Sequence, residues 1–372
     1  MMTKKATCQI KVTAVYRSCE QKIICIKNEY RGAMRVHLCG LPIPVLAKKT
    51  KSSISTSHRL APQSVAPSQD RHSFRSILIL ADIEGSSGCD SYRASSFLTR
   101  SWAQACASMS RDVDAVVRAL FDAGIEQVTV QDFHRTAYNL LPELIDPRAR
   151  IICGYRRGPV PGLGHPGNAQ AVMMLGMHAA SGTPGFLPHT LTSRLASVRV
   201  NDRPLAEVEL FSASLAPFGV RPIFFSGCAV ACAQARERIP GIHTIAIDKQ
   251  IPLEVPDKMN WRRSLARGAV TALQGIPPAP YRPQGPFQAV IRIRDGAKAA
   301  AHMASPWGFK RCGATLMLHT LDMNTLYNHL IQLCYLKPLT YKTLPVSLFL
   351  FNLMGRLGRQ WVRYQLIRSA GH

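Results

Sequence analysis

The sequence predicts an α/β protein in which a mostly parallel sheet is flanked by helices and a smaller α+β subdomain is appended. Three short segments have the character of strands, namely residues 77–81, 127–131 and 171–176. Between the first two, residues 97–123 show the apolar spacing of a helix. A strand, a helix and a second strand in this order are typical of a parallel sheet, and polar side chains follow each of the three predicted strands.

Two carboxylates follow the first predicted strand, which is otherwise apolar. Asp82 and Glu84 are two residues apart, and residues at that spacing point to the same side of an extended chain. In parallel α/β sheets the carboxyl ends of the strands form the edge at which ligands bind. Two carboxylates that close repel each other unless a cation lies between them, so the pair indicates a metal ion. The alternative is a capped turn at Asp82 with Glu84 in solvent.

Three further side chains extend this candidate site. His134 follows the second predicted strand, His178 follows the third, and Glu207 lies in the first turn of a helix predicted from about residue 205. A catalytic zinc ion takes three protein ligands, whereas five ligands with one bridging carboxylate suit two ions. Taken singly, each histidine could instead bond a loop, and Glu207 could simply favour the positive end of its helix.

Four motifs carry a resemblance to a known family. They are ADIEGSSG at 81–88, VQDFH at 130–134, LGMHAASGTPGFLPH at 175–189 and VNDRPLAE at 200–207. In this order they resemble the successive motifs of the zinc-dependent D-aminopeptidases, metallopeptidases associated with bacterial dipeptide-transport operons. The resemblance runs from about residue 76 to residue 336 and includes the spacings between His178, His189 and Glu207.

The resemblance implies a function and a role for each candidate residue. The implied enzyme is a dinuclear zinc metallopeptidase that removes the N-terminal D-amino acid from short peptides by means of zinc-activated water. Its two zinc ions per chain would share five protein ligands, with Asp82 as the bridge. The five ligands would be Asp82, Glu84, His134, His178 and Glu207. His189 would be the catalytic residue that stabilises the tetrahedral intermediate or relays a proton. The family also implies a homo-oligomer, in the form of rings that enclose the sites.

With this interpretation the 372 residues divide into four segments. Residues 76–276 form the predicted metal-binding catalytic domain, and residues 277–336, which begin with a proline-rich connector, form a smaller α+β portion of the same peptidase unit. Residues 1–75 are predicted to be a basic, largely disordered N-terminal extension. Residues 337–372 are predicted to be a basic amphipathic tail that docks onto the body or a second subunit, with peripheral membrane contact as the alternative.

The net charge of +24 is concentrated in the two flanking segments. Residues 1–75 hold 14 Lys and Arg against 3 acidic residues, and residues 337–372 hold 6 against none. The charge therefore says little about what the central domain binds. Neither flank contains a nucleic-acid recognition motif, and the N-terminal one has few interleaved aromatic residues, so a nucleic-acid partner is not expected.

The eleven cysteines are odd in number and irregularly spaced, which is typical of reduced thiols in a cytoplasmic protein. Cys228 and Cys232 lack a second pair at zinc-ribbon spacing and are predicted to be small buried residues. No apolar run reaches the length of a membrane-spanning helix, and the first residues lack the continuous apolar core of a signal peptide.

Two alternatives to the D-aminopeptidase interpretation stay open. The first is a metal-dependent hydrolase of another small amide, because the metals determine the chemistry and the pocket determines the substrate. The second is a non-catalytic binding protein on the same fold, against which the presence of all five candidate ligands argues. One departure from the family pattern concerns the polarity of the substrate pocket: residues 228–230 read Cys-Ala-Val, where family members tend to carry acidic residues.

Overall fold

The computed structural model describes residues 74–370, which build two sheets and eight α-helices. The predicted N-terminal extension lies outside the described residues, apart from residues 74 and 75. The helices, named α1 to α8 in chain order, are Arg100–Asp122, Glu207–Leu215, Ala229–Arg238, Val255–Gln274, Gly296–Ala304, Met323–Tyr335, Pro338–Lys342 and Leu344–Ala370.

The larger sheet has six parallel strands and confirms the predicted α/β class. With strand numbers that follow chain order across both sheets, its members are β1 Ser76–Ala81, β2 Gln127–Asp132, β3 Arg150–Ile152, β4 Ala171–Met177, β7 Arg221–Cys228 and β8 His243–Ile247. They lie side by side in the order β3-β2-β1-β4-β7-β8. The chain first extends the sheet from β1 on one side and later adds β4 on the other. The β1–β4 junction is therefore the topological switch point, where such sheets bind ligands.

The smaller sheet is antiparallel and is the appended α+β part that the sequence predicts. Its strands are β5 Leu195–Val200, β6 Arg203–Pro204, β9 Phe287–Ile293, β10 Arg311–Cys312 and β11 Thr315–Thr320, in the order β10-β11-β9-β5-β6. Two of these strands, β5 and β6, precede residue 277, so the sheet draws strands from both sides of the predicted segment boundary. Pairing of β9 with both β5 and β11 ties the two segments together.

Alternate side chains of β1 enter two apolar cores on opposite faces of the parallel sheet. Ile77 and Ile79 belong to a core shared with α1, α4 and α8. Leu78 and Leu80 belong to a core shared with the antiparallel sheet and with α2, α3 and α6. Because both faces of the strand are buried, its sequence is a continuous apolar run rather than an alternating one.

Two local predictions are confirmed in these cores. The helix predicted over residues 97–123 is α1, which begins at residue 100 because the Thr99 hydroxyl caps it by accepting a hydrogen bond from the Trp102 amide at 3.1 Å. Cys228 and Cys232 are buried and unpaired, as expected of small core residues.

The described part of the C-terminal segment contains the short helix α7 and the long helix α8, and one side of α8 docks onto the body. Val362 is fully buried, and Arg363 makes a bidentate ion pair with Glu143 at 2.8 Å for both contacts. The helix also exposes large apolar side chains, namely Val346, Phe349, Leu350, Phe351, Leu353, Met354, Leu357, Tyr364 and Ile367. Within residues 74–370 no helix combines the length and apolar character that a membrane span requires.

Gly176 in β4 allows a close approach between two segments at the switch point. Its φ is +73°, and a Cβ at this position would lie 2.1 Å from the Asp82 carbonyl oxygen. The pairing of β4 with β7 also shifts register between Met174 and Met177. Glycine is the residue that adopts this conformation without strain or clash, so it lets β4 bulge directly before His178.

Replacement of Gly176 by alanine is expected to lower the free energy of unfolding by more than about 2 kcal/mol, because left-handed backbone strain adds to the clash with Asp82. The matched control is Gly219→Ala, since Gly219 has a φ of +75° but nothing lies within 4 Å of its Cβ position. The control should lose only about 1 kcal/mol from the backbone strain. Urea unfolding measures both variants, and equal losses would contradict the importance of the close approach.

Candidate metal centre

Asp82 and Glu84 lie on a loop that runs from the end of β1 across the end of β4. The Asp82 amide donates to the Leu175 carbonyl oxygen at 2.8 Å, and the Gly85 amide donates to that of Gly176 at 2.7 Å. Only 6% of the surface of Asp82 and 3% of that of Glu84 is exposed. The backbone therefore holds two buried acidic side chains at the switch point.

His134 follows β2, and its Nδ1 atom faces both carboxylates. This nitrogen lies 3.0 Å from Asp82 Oδ1 and 3.0 Å from Glu84 Oε2. The opposite ring nitrogen, Nε2, donates to the carbonyl oxygen of Ser95 at 2.9 Å. A carbonyl behind a histidine ring fixes its tautomer and its orientation, so this ring can offer Nδ1 to a cation.

Asp132, the last residue of β2, organises the loop that carries His134. Its carboxylate accepts hydrogen bonds from the backbone amides of Asn139 and Leu140 and from the Asn139 side chain. Asn139 Nδ2 also donates to the His134 carbonyl oxygen at 2.7 Å. Asp132 could be suspected from the sequence, because it lies only two residues before the candidate ligand His134. Sequence reasoning missed Asn139 and Ser95, because Ser95 acts through a backbone oxygen that every residue possesses.

His178 follows β4 and lies on the other side of Asp82 from His134. Its Nε2 is 3.3 Å from Asp82 Oδ2 and 3.6 Å from Glu207 Oε2. The His189 ring stacks on the His178 ring, with 3.7 Å between centroids and 13° between the ring planes. The structure thus brings all six predicted site residues into one cluster.

Glu207 is the first residue of α2, and a neighbouring loop fixes its carboxylate. Its Oε1 accepts a hydrogen bond from the Leu191 amide at 2.7 Å, which leaves Oε2 on the side of His178. Glu209, two residues further on, accepts instead from the Ala206 amide at 3.0 Å and so caps the helix. The two glutamates therefore have separate tasks, and the helix N-terminus also favours the negative charge of Glu207.

An ion pair between the buried Asp112 and the partly buried Arg262 supports the 82–89 loop. Asp112 of α1 accepts hydrogen bonds from both the amide and the hydroxyl of Ser87 at 2.7 Å. Arg262 of α4 donates to the same carboxylate at 2.9 Å, and Lys249 donates to two carbonyl oxygens of the loop. Sequence reasoning missed these three side chains because they lie outside the motifs and act on the backbone or hydroxyl groups of the loop rather than on the metal-ligand candidates.

Charges of opposite sign compensate one another within the cluster. Burial would raise the pKa of Asp82, but the two imidazoles beside it hold that pKa well below its usual range. Burial would lower the histidine pKa values, yet the adjacent carboxylates raise the pKa of His134 well above its usual range and that of His178 to about 10. Burial raises the pKa of Glu207 to about 7. The protein groups alone therefore hold protons on both imidazoles at neutral pH.

His189 differs from the other two histidines in its charge. Burial and the neighbouring His178 lower its pKa to about 4, so the ring is neutral at pH 7. Its Nδ1 donates to the Leu187 carbonyl oxygen at 2.9 Å, which makes Nε2 the acceptor nitrogen of the ring.

The donor set of the cluster fits zinc. Two buried atoms of the cluster, Glu84 Oε2 and His178 Nε2, are among those in residues 74–370 that have no hydrogen-bond partner. Two overlapping groups in residues 74–370 place their ligand atoms within 4.8 Å of one another: Asp82, Glu84 and His178, and His178, His189 and Glu207. Imidazole nitrogen and carboxylate oxygen are common zinc ligands, and a cation among them would satisfy both orphaned atoms.

Zinc binding is expected to release protons and to tighten as the pH rises. His134 and His178 hold protons at pH 7 because their pKa values are raised, and these protons must leave before the rings can bind a metal. We expect about two protons to be released per chain at pH 7, one from each imidazole, with affinity rising about tenfold per pH unit for each proton released. Calorimetry in buffers of different ionisation enthalpy counts the protons. His134→Gln should lower the count, and no proton release from the unmodified protein would show the prediction to be wrong.

Comparisons with known proteins place this site in a family context. A family model described as D-aminopeptidase matches residues 76–331. A D-aminopeptidase of Bacillus subtilis (strain 168) is 27% identical over 172 residues, which are 46% of this chain and 62% of that protein. The aligned segment thus spans less than two thirds of the length of that relative.

Among solved structures, the chain is similar to the Zn-dependent D-aminopeptidase DppA from Bacillus subtilis, a protein described as a self-compartmentalizing protease. The TM-score is 0.62 at 23% sequence identity, over 69% of this chain and 96% of that one. At this identity the likeness concerns the fold, which is α/β as predicted. The family match at residues 76–331 covers more than half of the 372 residues and contains all six predicted site residues. The chain therefore belongs to the D-aminopeptidase family.

Proposed function

We propose that this protein is a metal-dependent aminopeptidase that removes the N-terminal D-amino acid from short peptides and uses two zinc ions. The observation that carries the proposal is the position of Asp82, whose two oxygens face different imidazoles. Oδ1 lies 3.0 Å from His134 Nδ1, and Oδ2 lies 3.3 Å from His178 Nε2. Membership of the D-aminopeptidase family supports the substrate class.

The five proposed ligands divide into two half-sites that share Asp82. Glu84 and His134 lie with one oxygen of this carboxylate, and His178 and Glu207 lie with the other. Zinc ions bound there would lower the pKa of water and polarise the peptide carbonyl group. Three carboxylates would offset all but one of the four positive charges of two zinc ions. A small net charge of this kind is less costly to bury than the uncompensated charge of the ions.

His189 would act on the reacting peptide. The ring is neutral at pH 7, and its Nδ1–H is engaged by the Leu187 carbonyl oxygen. Its Nε2 can therefore accept a proton and, once protonated, can stabilise a developing oxyanion. Stacking on His178 keeps this nitrogen beside the proposed ligands.

We also propose that copies of this chain assemble with one another. The solved structural neighbour is described as self-compartmentalizing. In this chain α8 exposes nine large apolar side chains, and contact with a second copy would bury this surface.

Asp82→Asn should cost more bound zinc than either Glu84→Gln or His134→Gln, because Asp82 alone lies in both half-sites. The unmodified protein should hold about two zinc ions per chain, the Asn variant close to none, and the other two about one each. Elemental analysis of protein purified without chelator gives these numbers. Asp114→Asn, a substitution on α1 away from the cluster, should retain the full complement. An Asp82→Asn protein that keeps both ions would rule out the bridging role.

In a panel of dipeptides with matched D- and L-residues in the first position, zinc-loaded protein should cleave D-first members and leave their L-first counterparts intact. His189→Ala should keep its zinc but lose turnover by at least about a hundredfold, because a general acid or base contributes that much. Release of the free first amino acid measures turnover. Equal cleavage of D-first and L-first members would favour a broader amide hydrolase, and cleavage of no member of the panel by fully loaded protein would favour the non-catalytic alternative. Loss of zinc from His189→Ala would make this residue a ligand instead.

A further inference from the structure

The helix α8 contacts the loop that carries His134, although it lies beyond the segment matched by the family model. That match ends at residue 331, whereas α8 is Leu344–Ala370. The loop, residues 133–139, contains two non-glycine residues in the left-handed region, Arg135 with a φ of 46° and Ala137 with a φ of 56°. Such a backbone persists only where its surroundings determine it strongly, so the elements packed behind it matter.

The first support acts on the loop just before His134 and runs through Tyr155. Asn352 of α8 accepts a hydrogen bond from the Tyr155 amide at 3.2 Å and donates to the Tyr155 carbonyl oxygen at 3.3 Å, so its side chain holds both backbone groups of one residue. Phe351 stacks on the Tyr155 ring at 6.1 Å. The Tyr155 hydroxyl in turn donates to the carbonyl oxygen of Phe133 at 3.0 Å. Asn352 is thus two steps from the peptide that joins Phe133 to His134.

The second contact reaches the loop just after His134. Trp361 of α8 stacks on Trp102, with 5.9 Å between centroids and 20° between planes. Trp102 Nε1 donates to Asn139 Oδ1 at 2.9 Å, and Asn139 Nδ2 donates to the His134 carbonyl oxygen at 2.7 Å. The helix therefore supports the backbone on both sides of His134 through separate side chains.

We propose that α8 is a brace that positions His134 for metal binding, with Asn352 and Trp361 as its positioning residues. The inference rests on the proposed function, because it takes His134 as a zinc ligand. A metal ligand must be held within about half an ångström of its productive position. The brace supports the loop backbone before and after His134 and so holds this ring in place. Neither positioning residue touches the metal cluster itself.

The test compares zinc affinity in Asn352→Ala with that in a matched control on the same helix. Gln360 has an exposed side chain that bonds only to its neighbour Arg363 among the described residues, so Gln360→Ala removes an amide from α8 without touching the brace. Competition with a chromophoric chelator should show zinc binding weakened about tenfold in Asn352→Ala and unchanged in Gln360→Ala. In a His134→Ala background, Asn352→Ala should have little further effect, because the ring that it positions is gone.

Hydrogen exchange of the metal-free full chain separates this inference from the proposed function. Amides of residues 133–139 should exchange faster in Asn352→Ala and in Trp361→Ala, whereas Trp361→Phe, which keeps an aromatic ring on Trp102, should restore protection. Unchanged exchange in the Asn352→Ala and Trp361→Ala variants would overturn the brace. Faster exchange with unchanged zinc affinity would overturn its role in metal binding. If the unmodified chain bound no zinc, the proposed function would fail, and the exchange result alone would decide whether α8 supports the loop.

Discussion

Burial of three carboxylates at one edge of a parallel sheet is the constraint on which the rest of this structure depends. Asp82, Glu84 and Glu207 are each almost wholly withdrawn from water, and like charges in such a place repel one another strongly. The two imidazoles that separate them offset this repulsion, as their raised pKa values indicate. The same arrangement explains why the cluster suits divalent cations. A metal ion can take the place of the extra proton on each imidazole and supply the positive charge that the carboxylates require.

Different parts of the fold hold each member of the cluster. The loop after β1 rests on Asp112 and Arg262, the loop after β2 is built around Asp132, and the Leu191 amide orients Glu207. Because these supports come from separate helices and strands, the cluster depends on the packing on both faces of the parallel sheet. A perturbation of one support should therefore displace the ligands that this support holds rather than the entire site.

Sequence patterns were sufficient for features that are local in the chain and insufficient for features that join distant segments. The strand ends before Asp82 and His178 could be predicted because a buried apolar run followed by a polar residue is visible within ten residues. The antiparallel sheet crosses the predicted boundary at residue 277 because β5 pairs with β9, a contact with no periodic signal. Asn352 and Tyr155 are 197 residues apart, and no local sequence pattern predicts the hydrogen bonds between them.

The position of α8 in the chain has a consequence for biosynthesis. All five proposed ligands lie between residues 82 and 207, whereas α8 begins at residue 344. On the ribosome, the complete set of acidic and imidazole side chains therefore emerges well before the helix that packs behind His134. The stacking face of Trp102 and the backbone of Tyr155 also lack their α8 partners during this interval. The order of synthesis thus makes the strands that carry the proposed ligands available before α8.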